Sequence, residues 1–212
     1  MLGVHSQMGR MSKCIISKTL IIVVCLGLTV SPGMAVEDPH ALVKNGMEKV
    51  LQLLKEYPGD MQVRREKIRN VVDEDFDFTE MAKRALGPRW KTVSPEKQQE
   101  FTRDFSQLIF NVYIKKIEKY ANEEIKIEIN FSRKKMEGEF AVVDAFIVGN
   151  QSGKIAIDYY LTRKNGNWKV YDIVIEGIDL ALNYRNQFDS ILSTGSFEDL
   201  LQQLKTKNAQ TG

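Results

Sequence analysis

The hydrophobic pattern of this chain changes its period near residue 125, and this change limits the possible folds more than any other feature. Apolar residues recur at helical spacing before that point, whereas isoleucines alternate with polar residues over 125–131. Such alternation indicates a strand with one buried face. Three more strands are predicted over 140–148, 154–163 and 168–175, the last two joined by Asn165-Gly166, a strong hairpin signal. Helices, then a mainly antiparallel sheet of four strands, then helices again predict an α+β fold.

Four helical patterns precede the predicted sheet. They cover 38–57, the region around 63–72, 78–86, and a long segment that starts at Pro95 with Ser94 as its N-cap. The long helix has one apolar face, made of Phe101, Phe105, Leu108, Ile109, Val112, Tyr113 and Ile117. These helices are therefore expected to cover one face of the sheet.

Two further helices are predicted after the sheet. One covers 180–192, and the other starts after Ser196, where Asp199 completes a capping-box pattern. The segment 206–212 is polar and is expected to fray. We therefore predict one domain over 36–205, followed by a short polar tail.

The first 35 residues are typical of a secretory signal peptide. Lys13 and Lys18 precede the uncharged apolar run 20–30, and the small residues of Gly33-Met34-Ala35 follow it. The run is about half as long as a membrane span of roughly 20 residues. We predict cleavage after Ala35 and a mature protein that works outside the cytoplasm, with an uncleaved membrane anchor as the alternative. Cys25 lies inside the run and not at its end, which argues against lipidation.

Removal of this leader leaves few groups with reactive chemistry. Both cysteines, Cys14 and Cys25, leave with it, so the mature chain has no thiol nucleophile, disulfide or thiolate metal site. His40 is the one remaining histidine, and we expect it to be exposed in the first turn of a helix. No Ser-His-Asp or histidine-rich metal site can be assembled, and no P-loop, GxGxxG or CxxC motif indicates a cofactor.

Charge excludes another class of function. The chain has 30 basic and 28 acidic residues. The leader contains three of the basic residues, Arg10, Lys13 and Lys18, and no acidic residue. The mature chain therefore has 27 basic and 28 acidic residues. This balance argues against nucleic acid as a partner and against a strongly basic membrane-binding patch.

Three carboxylates on or beside the predicted strands are the remaining catalytic candidates. Asp158, Asp172 and Glu176 could form a general acid and base pair. The alternative, which we favour, is that they form turn hydrogen bonds and salt bridges. The basic residues considered as partners are Lys154, Arg163 and Arg185.

The second predicted strand has unusually small side chains on one face. This face is made of Ala141, Val143, Ala145 and Ile147, while the opposite face is also mostly apolar. Small residues opposite a helix layer leave space for a cavity. The alternative is that large helix side chains such as Phe105 and Tyr113 fill that space.

The C-terminal third resembles the MlaC family, the periplasmic phospholipid-binding proteins also called toluene-tolerance auxiliary proteins. The resemblance is carried by GNWKVYDIVIEGIDLALNYRNQF at 166–188 and by ILSTGSFEDLLQQL directly after Ser190. It continues upstream in Phe76-Asp77-Phe78, in 85–90 and in 94–101, which occur in the family's order. Asp179 departs from the serine expected in the family, and aspartate can cap the following helix equally well.

This resemblance implies a sheet wrapped by helices around a deep apolar pocket for phospholipid acyl chains. It implies lipid transfer between an outer-membrane lipoprotein complex and an inner-membrane ABC transporter with a membrane-anchored substrate-binding subunit, which maintains outer-membrane asymmetry. A related subgroup is associated with hopanoids, so a hopanoid cargo stays open, as do an enzyme of similar shape and an adaptor with a solid core. The lipid-contacting residues are predicted to be Phe105, Ile109, Val112, Val143, Ala145, Ile147, Ile157, Tyr159, Tyr171 and Ile173.

Overall fold

Six α-helices form within the residues that the computed structural model describes, namely 38–130, 136–151 and 153–212. They are α1 (Pro39–Glu56), α2 (Met61–Asp75), α3 (Phe78–Leu86), α4 (Pro95–Ile117), α5 (Leu180–Thr194) and α6 (Phe197–Thr211). Each begins after an Asp or Ser whose side chain accepts a hydrogen bond from a backbone N–H of the first turn. The predicted leader and Phe131 lie outside the described residues.

The sheet contains the four predicted strands and two shorter ones. Its strands are β1 (Ile125–Asn130), β2 (Met136–Glu137), β3 (Phe140–Gly149), β4 (Gly153–Lys164), β5 (Asn167–Ile175) and β6 (Ile178–Asp179). The order is β1-β3-β4-β5-β6, with β2 also paired to β3, and every pair is antiparallel. The α+β prediction is confirmed. The two extra strands were missed because two residues are too few to show a period.

Side chains on the helix-facing side of the sheet form four rows that run across the strands. Neighbouring rows are two residues apart along each strand, which corresponds to about 7 Å. The first row is Ile127, Ile147 and Ile155, and the second is Ile129, Ala145, Ile157 and Ile175. The third row is Val143, Tyr159 and Ile173, and the fourth is Ala141, Leu161 and Val170. The first row lies where β1 begins and β3 ends, whereas the fourth lies near the β4–β5 hairpin.

A β-bulge in β5 alters which residues share a face. Tyr160 pairs with Asp172 while Leu161 pairs with Val170, so Tyr171 is an extra residue in β5. Simple alternation would put Tyr171 on the face of Ile173, and the bulge instead puts Val170 there. The ring of Tyr171 packs against Phe140 and Tyr160, on the opposite side of the sheet.

The helices α3, α4, α5 and α6 pack around a solid cluster that we call the aromatic core. Its buried members include Met81, Leu86, Phe101, Phe105, Leu108, Tyr184, Phe188, Leu200 and Leu204. The ring of Phe105 meets those of Tyr184 and Phe188 edge-on, with centroids 5.2 and 5.5 Å apart. Of the helices that the structure describes, none has the length and apolar character needed to cross a membrane.

Two local expectations are wrong. The segment from Thr206 does not fray, because α6 continues to Thr211 and the Asn208 side chain donates a hydrogen bond to the Asp104 carbonyl at 2.8 Å. His40 is buried, with 4% of its surface exposed. Its Nδ1 lies 2.9 Å from the carboxylate of Asp38, the residue that caps the same helix, so its place in the first turn does not expose it.

Candidate functional site: an apolar cavity between helices and sheet

A cavity lies between the sheet and the helices α1, α2 and α4. The volume in which the centre of a water molecule can lie is about 200 Å³. A volume of this kind of roughly 10–15 Å³ is enough to hold one water. Its helical lining is Leu42, Val43, Gly46, Met47, Val50, Leu51, Ile68, Val71, Val72, Asp75, Ile109, Phe110, Tyr113, Ile114 and Ile117, together with Phe78 and Leu180 at the starts of α3 and α5. Its sheet lining is Ile127, Ile147, Ile157, Tyr159, Val170, Ile173 and Ile175. The cavity is therefore far larger than a packing defect.

The cavity follows the strands from the first row to the fourth, a length of about 20 Å. At the fourth row it meets a solid cluster that includes Ala141, Leu161 and Trp168, all buried. At the first row it is bordered by Tyr120, in the 3₁₀ turn Glu118–Asn122 that follows α4. The lining side chains of this row, Ile127 and Ile147, are only partly buried. Tyr159 and Ile173 of the third row and Ile175 of the second row are partly buried as well.

Three arginines of α2 connect that helix to α4 and to the 3₁₀ turn that follows it. Arg65 donates hydrogen bonds to both oxygens of Glu118, at 3.0 and 2.8 Å, and Arg64 donates to the same carboxylate at 3.1 Å. These bonds, led by those from Arg65, lower the pKa of Glu118 although partial burial opposes the shift. Arg69 donates to the carbonyl and the hydroxyl of Ser106, at 3.2 and 3.0 Å. Long polar side chains therefore join the two helices beside the cavity.

Few polar atoms border the cavity among the described residues. The lining residues with a polar side-chain group are Asp75, Tyr113, Tyr120 and Tyr159. Burial raises the pKa of all three tyrosines, and for Tyr159 the nearby Asp75 carboxylate raises it further. These phenols stay protonated and neutral at ordinary pH, so a ligand here meets mainly hydrocarbon.

Half of the predicted lipid-contacting residues lie in the cavity lining. These are Ile109, Ile147, Ile157, Tyr159 and Ile173. Val143 and Ala145 lie on the same side of the sheet, but they are fully buried in the solid cluster beside the cavity. The small side chains there let α1 approach the sheet closely, since Leu42 and Val43 belong to the same cluster. At Val143 and Ala145 the space next to the sheet is therefore filled by side chains, as in the alternative to a cavity.

The other three predicted residues lie elsewhere. Phe105 is in the aromatic core, and Val112 packs against that core. The reason is that the N-terminal half of α4, and one side of its later turns, face α5 and α6. Tyr171 is on the far side of the sheet because of the bulge. None of the three borders the cavity.

The prediction missed the contribution of α1 and α2. Ten residues of these helices line the cavity. A signal was present, because residues 42, 43, 47, 50 and 51 form the apolar face of the first predicted helix. Nothing in that face shows whether it meets the sheet directly or across a gap, so the sequence could not separate core from cavity.

Two of the three candidate catalytic carboxylates, Asp172 and Glu176, have structural partners. Asp172 is 1% exposed, accepts from Arg84 at 2.9 Å and accepts from the backbone N–H of Ala181 at 3.2 Å. Burial raises the pKa of Asp172, Asp179 adds to the rise and Arg84 opposes it. Glu176 accepts from the backbone N–H of Ala156 at 2.5 Å. The partner of Asp172 is thus Arg84 and not one of the three basic residues considered.

Within the described part of the chain, no cluster of three or more His, Cys, Asp or Glu residues could hold a metal ion. The fold and the cavity first define a class: an α+β binding protein whose site suits an apolar ligand. The family model described as MlaC protein matches residues 43–206. This chain belongs to the MlaC family, as its motifs indicated.

Relatives and a solved structure agree with this assignment. The chain is 22% identical over 191 residues to the intermembrane phospholipid transport system binding protein MlaC of Haemophilus influenzae, covering 86% of this chain and 88% of that one. It is 22% identical over 160 residues to toluene tolerance protein ttg2D of Pseudomonas putida, covering 73% of each. The phospholipid-binding protein of Ralstonia solanacearum, solved with a phospholipid, is 29% identical with a TM-score of 0.73, over 82% of this chain and 99% of that one.

Proposed function

We propose that this protein is a periplasmic phospholipid carrier that moves lipid between an outer-membrane lipoprotein complex and an inner-membrane ABC transporter with its membrane-anchored substrate-binding subunit. The observation that carries the proposal is the long, almost wholly apolar cavity between α1, α2, α4 and the sheet. The Ralstonia solanacearum relative of the same fold was solved in complex with a phospholipid. Such a carrier contributes to the lipid asymmetry of the outer membrane and holds no cofactor besides its cargo.

The energetics of lipid in water explain why such a carrier is useful. Each methylene costs about 0.8 kcal/mol to expose, so a chain of about sixteen carbons costs roughly 12 kcal/mol. Escape of a loaded lipid into water is accordingly very slow. Unloading must take place in contact with a partner that offers its own apolar site, which makes docking part of the transfer step.

Delivery to the periplasm requires the leader at residues 1–35. Cleavage after Ala35 would release a chain that starts at Val36. N-terminal sequencing of the protein recovered from the periplasm tests this. A soluble protein that still begins at Met1 or Met11 would contradict the signal peptide.

Native mass spectrometry of the purified mature protein, followed by organic extraction, tests the carrier function. We expect phospholipid at nearly one molecule per chain, unchanged in amount and composition over time. Free fatty acid and lysolipid that accumulate would instead indicate an enzyme, and extraction of a hopanoid would change the cargo. A chain that carries no lipid after incubation with phospholipid vesicles would favour an adaptor role and end the proposal.

A further inference from the structure

The two edges of the sheet differ in how they are covered. At the β5 edge, β6 pairs with the end of β5, and the backbone N–H of Asp77 donates a hydrogen bond to the Val170 carbonyl at 2.8 Å. At the opposite edge, β3 is the one strand of the described chain that pairs with β1. In an antiparallel pair, every second residue directs its N–H and C=O away from the neighbouring strand. The outer edge of β1 therefore presents backbone donors and acceptors that the described strands do not use.

The strand β1 has few of the features that keep an edge strand from pairing. It contains 6 residues without proline or glycine, and its register with β3 is regular along its whole length. Its isoleucines, Ile125, Ile127 and Ile129, are all only partly buried. Its other face has the charged side chains of Lys126 and Glu128, which lie 3.0 Å apart and are 74% and 38% exposed. A regular edge strand with an apolar face is a template for pairing with another chain.

The sequence of β1 is complementary to itself when two copies run antiparallel. In the register centred on Ile127, this residue lies opposite its own equivalent, and Ile125 lies opposite Ile129. Lys126 of each copy then lies opposite Glu128 of the other, so two ion pairs cross the seam. A register centred on Lys126 would oppose two lysines, and one centred on Glu128 would oppose two glutamates. A shift by one residue would put isoleucines opposite charged side chains, so a single register suits both faces.

We propose that β1 is a self-association surface, through which two copies of this protein pair into one continuous antiparallel sheet with two-fold symmetry. The contact is isologous, because each copy contributes the same strand to it. The ion pair between Lys126 and Glu128 within one copy is easily exchanged for pairs across the seam, since exposed ion pairs contribute little to stability. Ile127 lines the cavity, so the pairing places the linings of two cavities next to each other in one sheet. The inference goes beyond the carrier function and requires no bound lipid.

Sedimentation velocity of the mature protein over a range of concentrations tests this surface. A single strand pairing is a small interface, so we expect the parent to form dimers only at micromolar or higher concentrations. Lys126→Glu and Glu128→Lys each create two like-charged pairs across the seam, and each should weaken self-association at least about tenfold. An equimolar mixture of the two variants should form dimers again, because every glutamate at the seam then faces a lysine. Hydrogen exchange at the β1 amides should be slower in these dimers than in the monomers.

The matched control uses the exposed ion pair of Lys44 and Glu48 on α1, in which the Nζ and Oε1 atoms lie 3.9 Å apart. Lys44→Glu and Glu48→Lys make the same changes of charge away from β1, and both should associate as the parent does. A parent that stays monomeric at its highest soluble concentration would overturn the inference, even if β1 paired with a strand of another protein. Dimers that both β1 variants form as readily as the parent would also overturn it, because the contact would then lie on another surface.

Discussion

Helix α4 borders two regions that are built in opposite ways. Phe101 and Phe105 enter the aromatic core, where rings from α4 and α5 pack edge to face. Further along the same helix, Phe110, Tyr113 and Ile117 face the cavity. The two regions thus share one amphipathic helix, and only one of them is filled.

The difference shows what decides between core and cavity. The aromatic core is contacted by helices alone, and large rings from facing helices meet at its centre. In the cavity region the facing surfaces are mostly isoleucine and valine from α1, α2 and the sheet. Interiors normally pack to a density of about 0.75, so space on this scale is kept open by the secondary structure around it.

Two substitutions on α4 test most directly whether the aromatic core and the cavity region are packed differently. Phe105→Ala removes a ring from the aromatic core and should lower the free energy of unfolding by about 3–5 kcal/mol, because it creates a new void. Phe110→Ala removes a ring that already borders empty space, so the loss should be closer to 1–3 kcal/mol. Chemical denaturation of the delipidated proteins measures both. Equal losses would mean that the two regions are packed alike.

A second pair adds volume instead of removing it. Ala145→Trp places an indole in the solid cluster of the second row, and overpacking costs about 1–3 kcal/mol, more for a group this large. Ile147→Trp extends into the cavity at the first row, so it should leave the melting temperature nearly unchanged and reduce bound lipid. Thermal melts of delipidated protein beside lipid content per mole separate the two effects. An unaltered melt with lost lipid for Ala145→Trp would return Ala145 to the cavity lining.

The ion cluster of Arg64, Arg65 and Glu118 should matter at the attachment of α2. Glu118→Gln removes the charge that both arginines share and should cost about 2 kcal/mol. The pKa of Glu118 is lowered in the folded state, so its contribution is complete above the ordinary glutamate value of about 4.3 and is lost as the pH falls through the lowered one. The difference from the parent in urea melts should accordingly shrink below about pH 4.3.

The matched control is Glu124→Gln, an exposed acidic residue just before β1. It should change stability little at any pH. A Glu118→Gln variant whose deficit stays constant down to acidic pH would show that the carboxylate contributes through its shape and hydrogen bonds and not through its charge.

The sequence predicted the elements well because each one carries a local signal. The capping-box residues Ser196 and Asp199 and the Asn165-Gly166 turn act within a few residues, and their elements lie where they were expected. Placement failed where the cause is not local. The bulge at Tyr171 depends on how β5 pairs with β4, and the filled position of Ala145 depends on how closely α1 approaches the sheet.

The smallest expected effect concerns Gly46, where α1 passes the cavity. Gly46→Ala should gain about 1 kcal/mol of helix propensity, but the new Cβ would meet the Asp75 Oδ2 atom at 2.6 Å and displace it. The two effects should nearly cancel, leaving the melting temperature almost unchanged.

A double-mutant cycle isolates the contact between these two residues. In an Asp75→Ala background the added methyl group meets nothing, so Gly46→Ala should then give its full gain of about 1 kcal/mol. Asn45→Ala, at an exposed position of the same helix, reports the propensity gain without the contact. If Gly46→Ala stabilises the parent as much as it stabilises the Asp75→Ala protein, the carboxylate moves aside without cost. The glycine would then have no part in placing Asp75 beside the cavity.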